Sequence, residues 1–336
     1  MPAPVTPADV EISIVSLGGT ERLIKCAKTL ADACEGLVWR LMIIDNSPAG
    51  QDLRAAFAAA PSASVIRSEG RRGFGANHNL VLRDVVAEAR ARYVLVLNDD
   101  TELDRRAVTA IVEHADRNER IGAVSPRIRH ADGRPQPSQL AWPTLRQQVL
   151  HSAFPRRDVA PTSPGWLNGA CLLLRTSALR QVGLFDTRFF LFFEDTDLCL
   201  RLANAGWDVE TCMDASVVHH GHQTILEPAL RPDIEEQVLR SRYLFFRKHH
   251  GPVAARAVTM LVRGALLMRV AKMLAEAVVG RHATGFSQPR TLWTLTRSRP
   301  TRPSRLEFEA DKNSLPDPGH NSMTRRRGRH ASGDVS

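Results

Sequence analysis

The stretch Tyr93–Thr101, Tyr-Val-Leu-Val-Leu-Asn-Asp-Asp-Thr, constrains the fold more than any other part of the chain. Its Val- and Leu-rich half reads as a strand apolar on both faces, which calls for a sheet covered on both sides. The strand runs directly into two carboxylates, Asp99 and Asp100. Adjacent carboxylates repel and are costly to desolvate unless a cation neutralises them. In open α/β sheets ligands sit just beyond the carboxyl ends of strands. Hard cations such as Mg²⁺ take one or two carboxylates together with substrate phosphates. The strand end therefore proposes a divalent metal and a phosphorylated ligand. The competing reading is a solvated turn leading into a helix N-terminus.

The flanking segments supply the rest of such a sheet. Val10–Leu17, Trp39–Ile44 and Ser64–Arg67 read as strands, and the segments from Thr20 through Ala33, Asp52–Ala60, Ala76–Ala89 and Arg105–Asn118 read as helices. This β-α-β-α order is that of a mostly parallel sheet flanked by helices. The strands end in polar residues: Ser16, then Asp45-Asn46, then Asp99-Asp100. Three polar tips along one edge point to a ligand crevice. The loop Gly70–Asn79 has neither dinucleotide-fingerprint nor P-loop spacing, though its backbone amides could approach an anion.

Residues 119–165 carry seven prolines, including Pro126, and read as an excursion across one face that ends at Trp166. Cys171–Arg175 reads as another buried strand. Farther on, Glu194, Asp195 and Asp197 open a helical stretch beside Phe189, Phe190, Phe192 and Phe193. Acids in a first turn complement the helix dipole by roughly 0.3–1 kcal/mol each, and a carboxylate framed by aromatic rings is also a candidate general base. His219, His220 and His222 follow an apolar strand and could supply a metal ligand.

Charge bears on partners. Residues 1–250 hold 30 Lys and Arg against 30 Asp and Glu, so the net charge of +9 resides entirely in the last 86 residues. A neutral body argues against a nucleic-acid-binding core, and the basic end suits an anionic membrane surface. The five scattered cysteines have no zinc or redox spacing and read as buried thiols of a cytoplasmic protein. No uninterrupted apolar run has the length of a spanning helix, and Val253–Val279 reads as a helix too charged to cross a bilayer.

Taken in order, the motifs resemble the family 2 glycosyltransferases, which have the GT-A fold, and among them the bacterial rhamnosyltransferase-type members. The resemblance covers roughly residues 10–250. It rests on Ile44-Asp45-Asn46-Ser47, Gly73-Phe74-Gly75 with Asn79, Leu97-Asn98-Asp99-Asp100-Thr101, and Trp166 with Gly169-Ala170-Cys171. Phe193-Glu194-Asp195-Thr196-Asp197-Leu198, Val218-His219-His220-Gly221 and Arg247-Lys248-His249-His250-Gly251 complete it.

The resemblance implies an inverting, metal-dependent transfer of a sugar from a nucleotide-diphosphate donor such as dTDP-rhamnose. The acceptor would be a hydroxyl of a bacterial cell-surface glycan or lipid-linked acceptor. Asp195 would be the base, supported by Glu194. Asp100 and His219 would hold Mg²⁺ or Mn²⁺, with His220 as the alternative histidine. Ser16, Asp45, Asn46, Gly73, Asn79 and Asp99 would contact the nucleotide sugar, and Trp166 and Gly169 would border the acceptor. The implied organisation is a flexible N-terminus (1–9), a GT-A domain (10–250) and a helical extension (251–284). A disordered basic tail (285–336) would follow. The domain divides into a nucleotide-sugar half (10–118) and an acceptor half (119–250). The implied location is cytoplasmic, at the inner face of the cell membrane, with residues 252–336 touching lipid.

One departure stands out. The family's first strand usually ends in Thr-Tyr-Asn or a similar triplet, and here it ends in Ser16-Leu17-Gly18-Gly19. That keeps open a degenerate, non-catalytic scaffold whose basic tail binds membrane or nucleic acid. A sugar nucleotidyltransferase is a further alternative, but it would need a better phosphate loop than Gly18-Gly19-Thr20-Glu21-Arg22.

Overall fold

The computed structural model describes residues 7–145, 165–221, 231–278 and 300–301, except 49, 51, 54, 55, 57, 59, 61, 62 and 71. Strands β1 (Ala8–Ser16), β2 (Trp39–Asp45), β3 (Ser64–Arg67) and β4 (Ala91–Asn98) are interleaved with helices α1 (Thr20–Ala33) and α2 (Phe74–Glu88). β4 is the strand that ends in the paired acids. Its residues Tyr93, Leu95 and Leu97 enter a core shared with Leu23 and Leu30 of α1. Val94 and Val96, pointing the other way, enter a core shared with Val81, Leu82 and Val85 of α2. Each such buried aliphatic side chain contributes roughly 1.5–3 kcal/mol, so the two-sided burial read from the sequence is what fixes this strand in mid-sheet.

The chain continues through β5 (Thr101–Leu103), α3 (Ala107–Asp116), β6 (Ile121–Arg129), β7 (Pro135–Gln136), β8 (Gln139–Ala141), β9 (Gly165–Leu167) and β10 (Cys171–Arg175). It ends with α4 (Thr176–Val182), α5 (Glu194–Asn204), β11 (Asp208–His219) and α6 (Arg231–Val278). The sheet order is β3-β2-β1-β4-β10-β6-β11-β5, with β7 on β6, and β8 pairs β9 separately. Strands β1 to β4 are parallel to one another. β10 runs antiparallel to both β4 and β6. The sheet is thus mixed: a parallel first half joined to a second half through an antiparallel seam.

β6 corrects the expected proline-broken excursion. Pro126 lies inside this strand and has no N–H for the ladder. Its parallel partner β11 jumps register there, from Cys212 opposite Pro126 to Ser216 opposite Arg127. The bulge absorbs the defect and lets the strand continue. Residues 146–164 of that excursion, like residues 54, 55, 57 and 59 of the helix expected over Asp52–Ala60, lie outside the described residues. All five cysteines are buried and free, as expected.

Helix α6 breaks at Gly251 (φ 83°, ψ 171°), just before Pro252. That left-handed φ suits glycine, and the proline cannot continue the helical hydrogen bonds. Tyr243, Phe245 and Phe246 before the break and Ala255, Val258 and Val262 after it join one core cluster with Phe189. By length and composition the helix over Asp233–Met268 is long and apolar enough to cross a membrane. The sequence expectation differs because it counted uninterrupted apolar runs and weighed the charges within Val253–Val279. The expected disordered tail lies outside the described residues apart from Pro300 and Thr301.

Candidate active site

Register brings the strand tips together. Ser16 pairs with Asp45 across β1–β2, and Val15 with Asn98 across β1–β4. Ser16 Oγ donates to Asp99 Oδ2 at 2.9 Å. Burial pushes the Asp99 carboxyl up to about 6, against the lowering effects of Arg22 and Ser16. Asp100 Oδ1 lies 3.3 Å from His219 Nε2. Burial works to raise Asp100 as well, but the bond and charge of His219, with Arg22 behind them, hold it below the usual carboxylate range.

His219 owes its position to pairing opposite Thr101 across β11–β5. Its Nδ1 meets Gln136 Oε1 at 3.1 Å and its Nε2 meets Asn98 Nδ2 at 3.3 Å. With Nδ1 on Gln136, Nε2 is the nitrogen that faces Asp100, and a bound cation would take the place of the proton it shares with that carboxylate. His220 turns away, with Nε2 2.8 Å from Glu102 Oε1. Among the described residues no group of three or more His, Cys, Asp or Glu side chains forms a metal cage. One carboxylate and one imidazole, with Asp99 alongside, fit a divalent cation whose shell is completed by substrate phosphates.

At the neighbouring tip, Asp45 Oδ1 accepts from the Ser47 amide (3.1 Å) and hydroxyl (2.6 Å), while Arg67 pairs with Oδ2. Burial opposes ionisation of Asp45, but the bonds from Ser47 and Arg67 outweigh it and depress its pKa. Asn46 spends its amide on the Arg72 backbone, with Nδ2 donating to the carbonyl oxygen at 3.2 Å.

Two expected nucleotide contacts have other employment. Asn79 donates to Phe185 O (2.8 Å) and accepts from Phe185 N (3.2 Å), so its buried amide clamps the backbone at Phe185. A Cβ at Gly73 would fall 2.3 Å from Phe190 O, so this glycine serves the close passage of the Phe190 backbone. The first amide of α2, at Phe74, is likewise taken by Phe190 O at 2.9 Å.

The three acids of α5 separate by role. Gly169 N and Thr196 N donate to Asp195 at 3.1 and 2.6 Å. Burial nevertheless raises Asp195 to about 6, against these lowering bonds. Glu194 is buried with Oε2 unpartnered. Burial and the adjacent Asp195 push its carboxyl well above the usual range, which favours the neutral form. Asp197, fully buried, binds Arg201 (2.9 Å), Lys248 (2.6 Å) and His249 (2.7 Å), tying α5 to α6.

The turn before α5 is strained. Phe192 and Phe193 both have φ +67°, at a cost on the order of 1–3 kcal/mol each. Helix α6 braces it: Ser241 Oγ donates to Leu191 O at 2.8 Å, and the Phe193 and Phe245 rings are 5.5 Å apart. Trp166, in β9 opposite Leu140, packs partly buried against the core beside Gly169. The turn at Gly169 links the two clusters, because Ala170 O accepts from Asn98 N at 3.0 Å next to the paired acids. Arg67 and Gln136 are partners of these side chains that the sequence did not single out, while Asn98, Lys248 and His249 stood within the quoted motifs without an assigned role. For Arg67 and Gln136, only their spacing from known motifs could have hinted at them.

Comparison with known proteins bears on the family and the fold. Residues 42–232 match the family model described as glycosyltransferase like family 2. The N-acetylglucosaminyl-diphospho-decaprenol L-rhamnosyltransferase of Mycobacterium tuberculosis is 29% identical over 252 residues, covering 68% of this chain and 81% of that protein. The low-salt glycan biosynthesis hexosyltransferase Agl10 of Haloferax volcanii is 24% identical over 271 residues, covering 78% and 84%. Among solved structures, the mannosyltransferase PcManGT of Pyrobaculum calidifontis, in complex with GDP-Man and Mn²⁺, matches with a TM-score of 0.53. It is 16% identical and covers 88% of this chain and 81% of its own, a likeness that speaks to the fold alone.

Proposed function

We propose for this chain, which belongs to the family 2 glycosyltransferases, the inverting transfer of L-rhamnose from dTDP-rhamnose to a hydroxyl of a lipid-linked glycan acceptor. The chain is a glycosyltransferase of GT-A fold. The choice of rhamnose and of a lipid-linked acceptor draws on the mycobacterial relative, whose name specifies both. The observation that carries the reading is the Asp195 carboxylate. It is fixed by the Gly169 amide in the turn that leads back to the paired acids, and burial raises its carboxyl to about 6.

In this reading the acceptor hydroxyl attacks the anomeric carbon as its proton passes to Asp195, and the nucleoside diphosphate departs. A hydroxyl is a poor nucleophile, and a positioned base contributes typically 10²–10⁴-fold. A single base with in-line attack inverts the anomeric centre. Asp100 and His219 would hold Mg²⁺ or Mn²⁺, which when bound neutralises the charge gathering on the leaving diphosphate. Asp45, held by Ser47 and Arg67, would receive the pyrimidine base. Glu194, neutral behind Asp195, contributes no second base.

Calorimetric titration of dTDP-rhamnose, dTDP, UDP-glucose and UDP, with Mn²⁺ and then with EDTA, tests the reading. Metal-dependent binding of dTDP-rhamnose in preference to UDP-glucose is expected. Binding of none of them would overturn the donor assignment.

The membrane contact rests on separate features. Val253, Met260 and Leu267 recur at seven-residue spacing and are exposed on the second limb of α6, with Leu261 and Met268 beside them. Seven residues are nearly two helical turns, so these side chains form an apolar stripe. With the basic excess downstream, it suits the interface of an anionic bilayer. Deleting residues 252–336 should abolish co-sedimentation with anionic liposomes, and unchanged sedimentation would count against the contact.

A further inference from the structure

The strand tip Ser16-Leu17-Gly18-Gly19 lacks the aromatic and amide side chains with which related strands end, yet the structure puts a different group there. Arg22, one turn into α1, folds its guanidinium back over Gly19. A Cβ built on Gly19 would lie 2.3 Å from Arg22 Nη2 and 2.7 Å from both Cζ and Nε. The guanidinium can occupy this position only because residue 19 has no side chain. Gly19 has an ordinary φ of −79°, so backbone conformation does not require glycine here. The requirement is the space that Arg22 fills.

The placed guanidinium is under-used by the protein. Arg22 Nε is buried and hydrogen-bonds nothing. Its nearest carboxylate oxygen, Asp99 Oδ1, is 4.0 Å away, beyond hydrogen-bond length. Asp99 meanwhile takes its hydrogen bond from Ser16 at 2.9 Å. A cation held beside the metal-site acids, at the edge where β1 and β4 end, is set for an anion that is not part of the chain. The start of α1 adds to this, since its N-cap residue makes no side-chain cap and a helix N-terminus carries partial positive charge. Guanidinium matches phosphate oxygens in paired, planar geometry better than a point charge does.

We propose that Arg22 is a donor-binding residue that grips the diphosphate of the nucleotide sugar, and that Gly19 is glycine in order to seat it. The proposal rests on the nucleotide-sugar reading above. It assigns to a guanidinium the work that the missing strand-tip side chains would have shared, and it explains how this tip remains competent without them.

The test is calorimetry of dTDP and dTMP, with Mn²⁺, against the full chain and the variants R22A, R22K and G19A. For R22A, dTDP affinity should fall at least tenfold while dTMP affinity changes less than threefold, so the preference for the diphosphate collapses. R22K, which keeps the charge but not the paired geometry, should fall between. G19A leaves Arg22 in the chain but displaces its flexible side chain, and it should reproduce the R22A loss with an unchanged melting temperature. Wild-type dTDP affinity in R22A, or equal losses of dTDP and dTMP, would overturn the proposal. So would a G19A variant that binds dTDP as the wild type does. Failure of the wild type to bind either nucleotide would instead sink the nucleotide-sugar reading itself.

Discussion

The Gly169 amide donates to Asp195 Oδ2 at 3.1 Å, and a methyl on Gly169 would lie 3.3 Å from that same oxygen. The glycine therefore both aims the carboxylate and leaves no room for anything larger. Gly169→Ala should shift Asp195 by a few tenths of an ångström. Misplacement of about 1 Å can cost about 10²-fold in rate, so a smaller shift should lower kcat about tenfold. KM for the donor should hardly change. Steady-state kinetics check this, and a change confined to KM would contradict the role given to Asp195.

His219 and His220 are adjacent in sequence, but they serve different carboxylates. His219 Nε2 lies 3.3 Å from Asp100, and His220 Nε2 lies 2.8 Å from Glu102. His219→Ala should weaken Mn²⁺ activation by about 10-fold or more, the usual cost of disturbing a metal ligand or its support. His220→Ala should leave it within a few-fold. Donor binding followed across a Mn²⁺ titration separates the two variants, and equal effects would remove His219 from the metal site.

Arg67 holds Asp45 by a direct ion pair and also donates to Ser47 O at 2.6 Å. If Asp45 receives the base, its fixed orientation serves ground state and transition state alike. Losing such uniform binding raises KM without changing kcat. Arg67→Ala should therefore raise donor KM about tenfold with kcat nearly intact. A fall in kcat at constant KM would show that Arg67 acts elsewhere.

These residues show how far the sequence could be read. The polar tips Ser16, Asp45 and Asp99-Asp100 were legible because strand-then-acid is a local pattern, and the β1–β2 and β1–β4 registers place them side by side. The acids Glu194, Asp195 and Asp197 drew notice through the phenylalanines before them, and only the family resemblance picked out Asp195 as the base. What stayed hidden was each side chain's partner. Asn79 looks like a ligand-binding amide until Phe185 is seen on both of its polar atoms. Gly73 looks like a phosphate-loop glycine until the Phe190 backbone is found against it. Arg67 carries no motif. β6 was hidden because the bulge that accommodates Pro126 belongs to a partner strand more than 80 residues away.

Asp197 binds both ends of a long-range link. It is fully buried, and it pairs with Arg201 on its own helix and with Lys248 and His249 on α6. Removing one partner of a buried ion network costs about 3–5 kcal/mol, because the remaining charges lose compensation. Asp197→Ala should destabilise the fold by about that much in urea denaturation. It should also loosen the strained Phe192–Phe193 turn that α6 braces. A loss under 1 kcal/mol would show that the link is dispensable.

Asp195 also gives a pH signature whose sign follows from its environment. Burial raises its folded-state carboxyl from the usual 3.8 to about 6. The folded protein therefore holds this proton more tightly than the unfolded chain does. By linkage, the stability associated with the protonated form is fully present below about pH 4 and is lost as pH rises through about 6. Asp195→Asn cannot ionise. The melting temperature of the Asn variant relative to wild type should thus climb between pH 4 and 6 and then level off, whatever fixed offset its altered hydrogen bonds introduce. Turnover must follow the opposite course. The base works only when ionised, so wild-type kcat should rise over the same interval and reach a plateau above pH 7, while the Asn variant loses at least about 10²-fold. A relative melting curve flat with pH would show that Asp195 ionises as an ordinary exposed carboxylate, and the case for it as a base tuned near neutrality would fail with it.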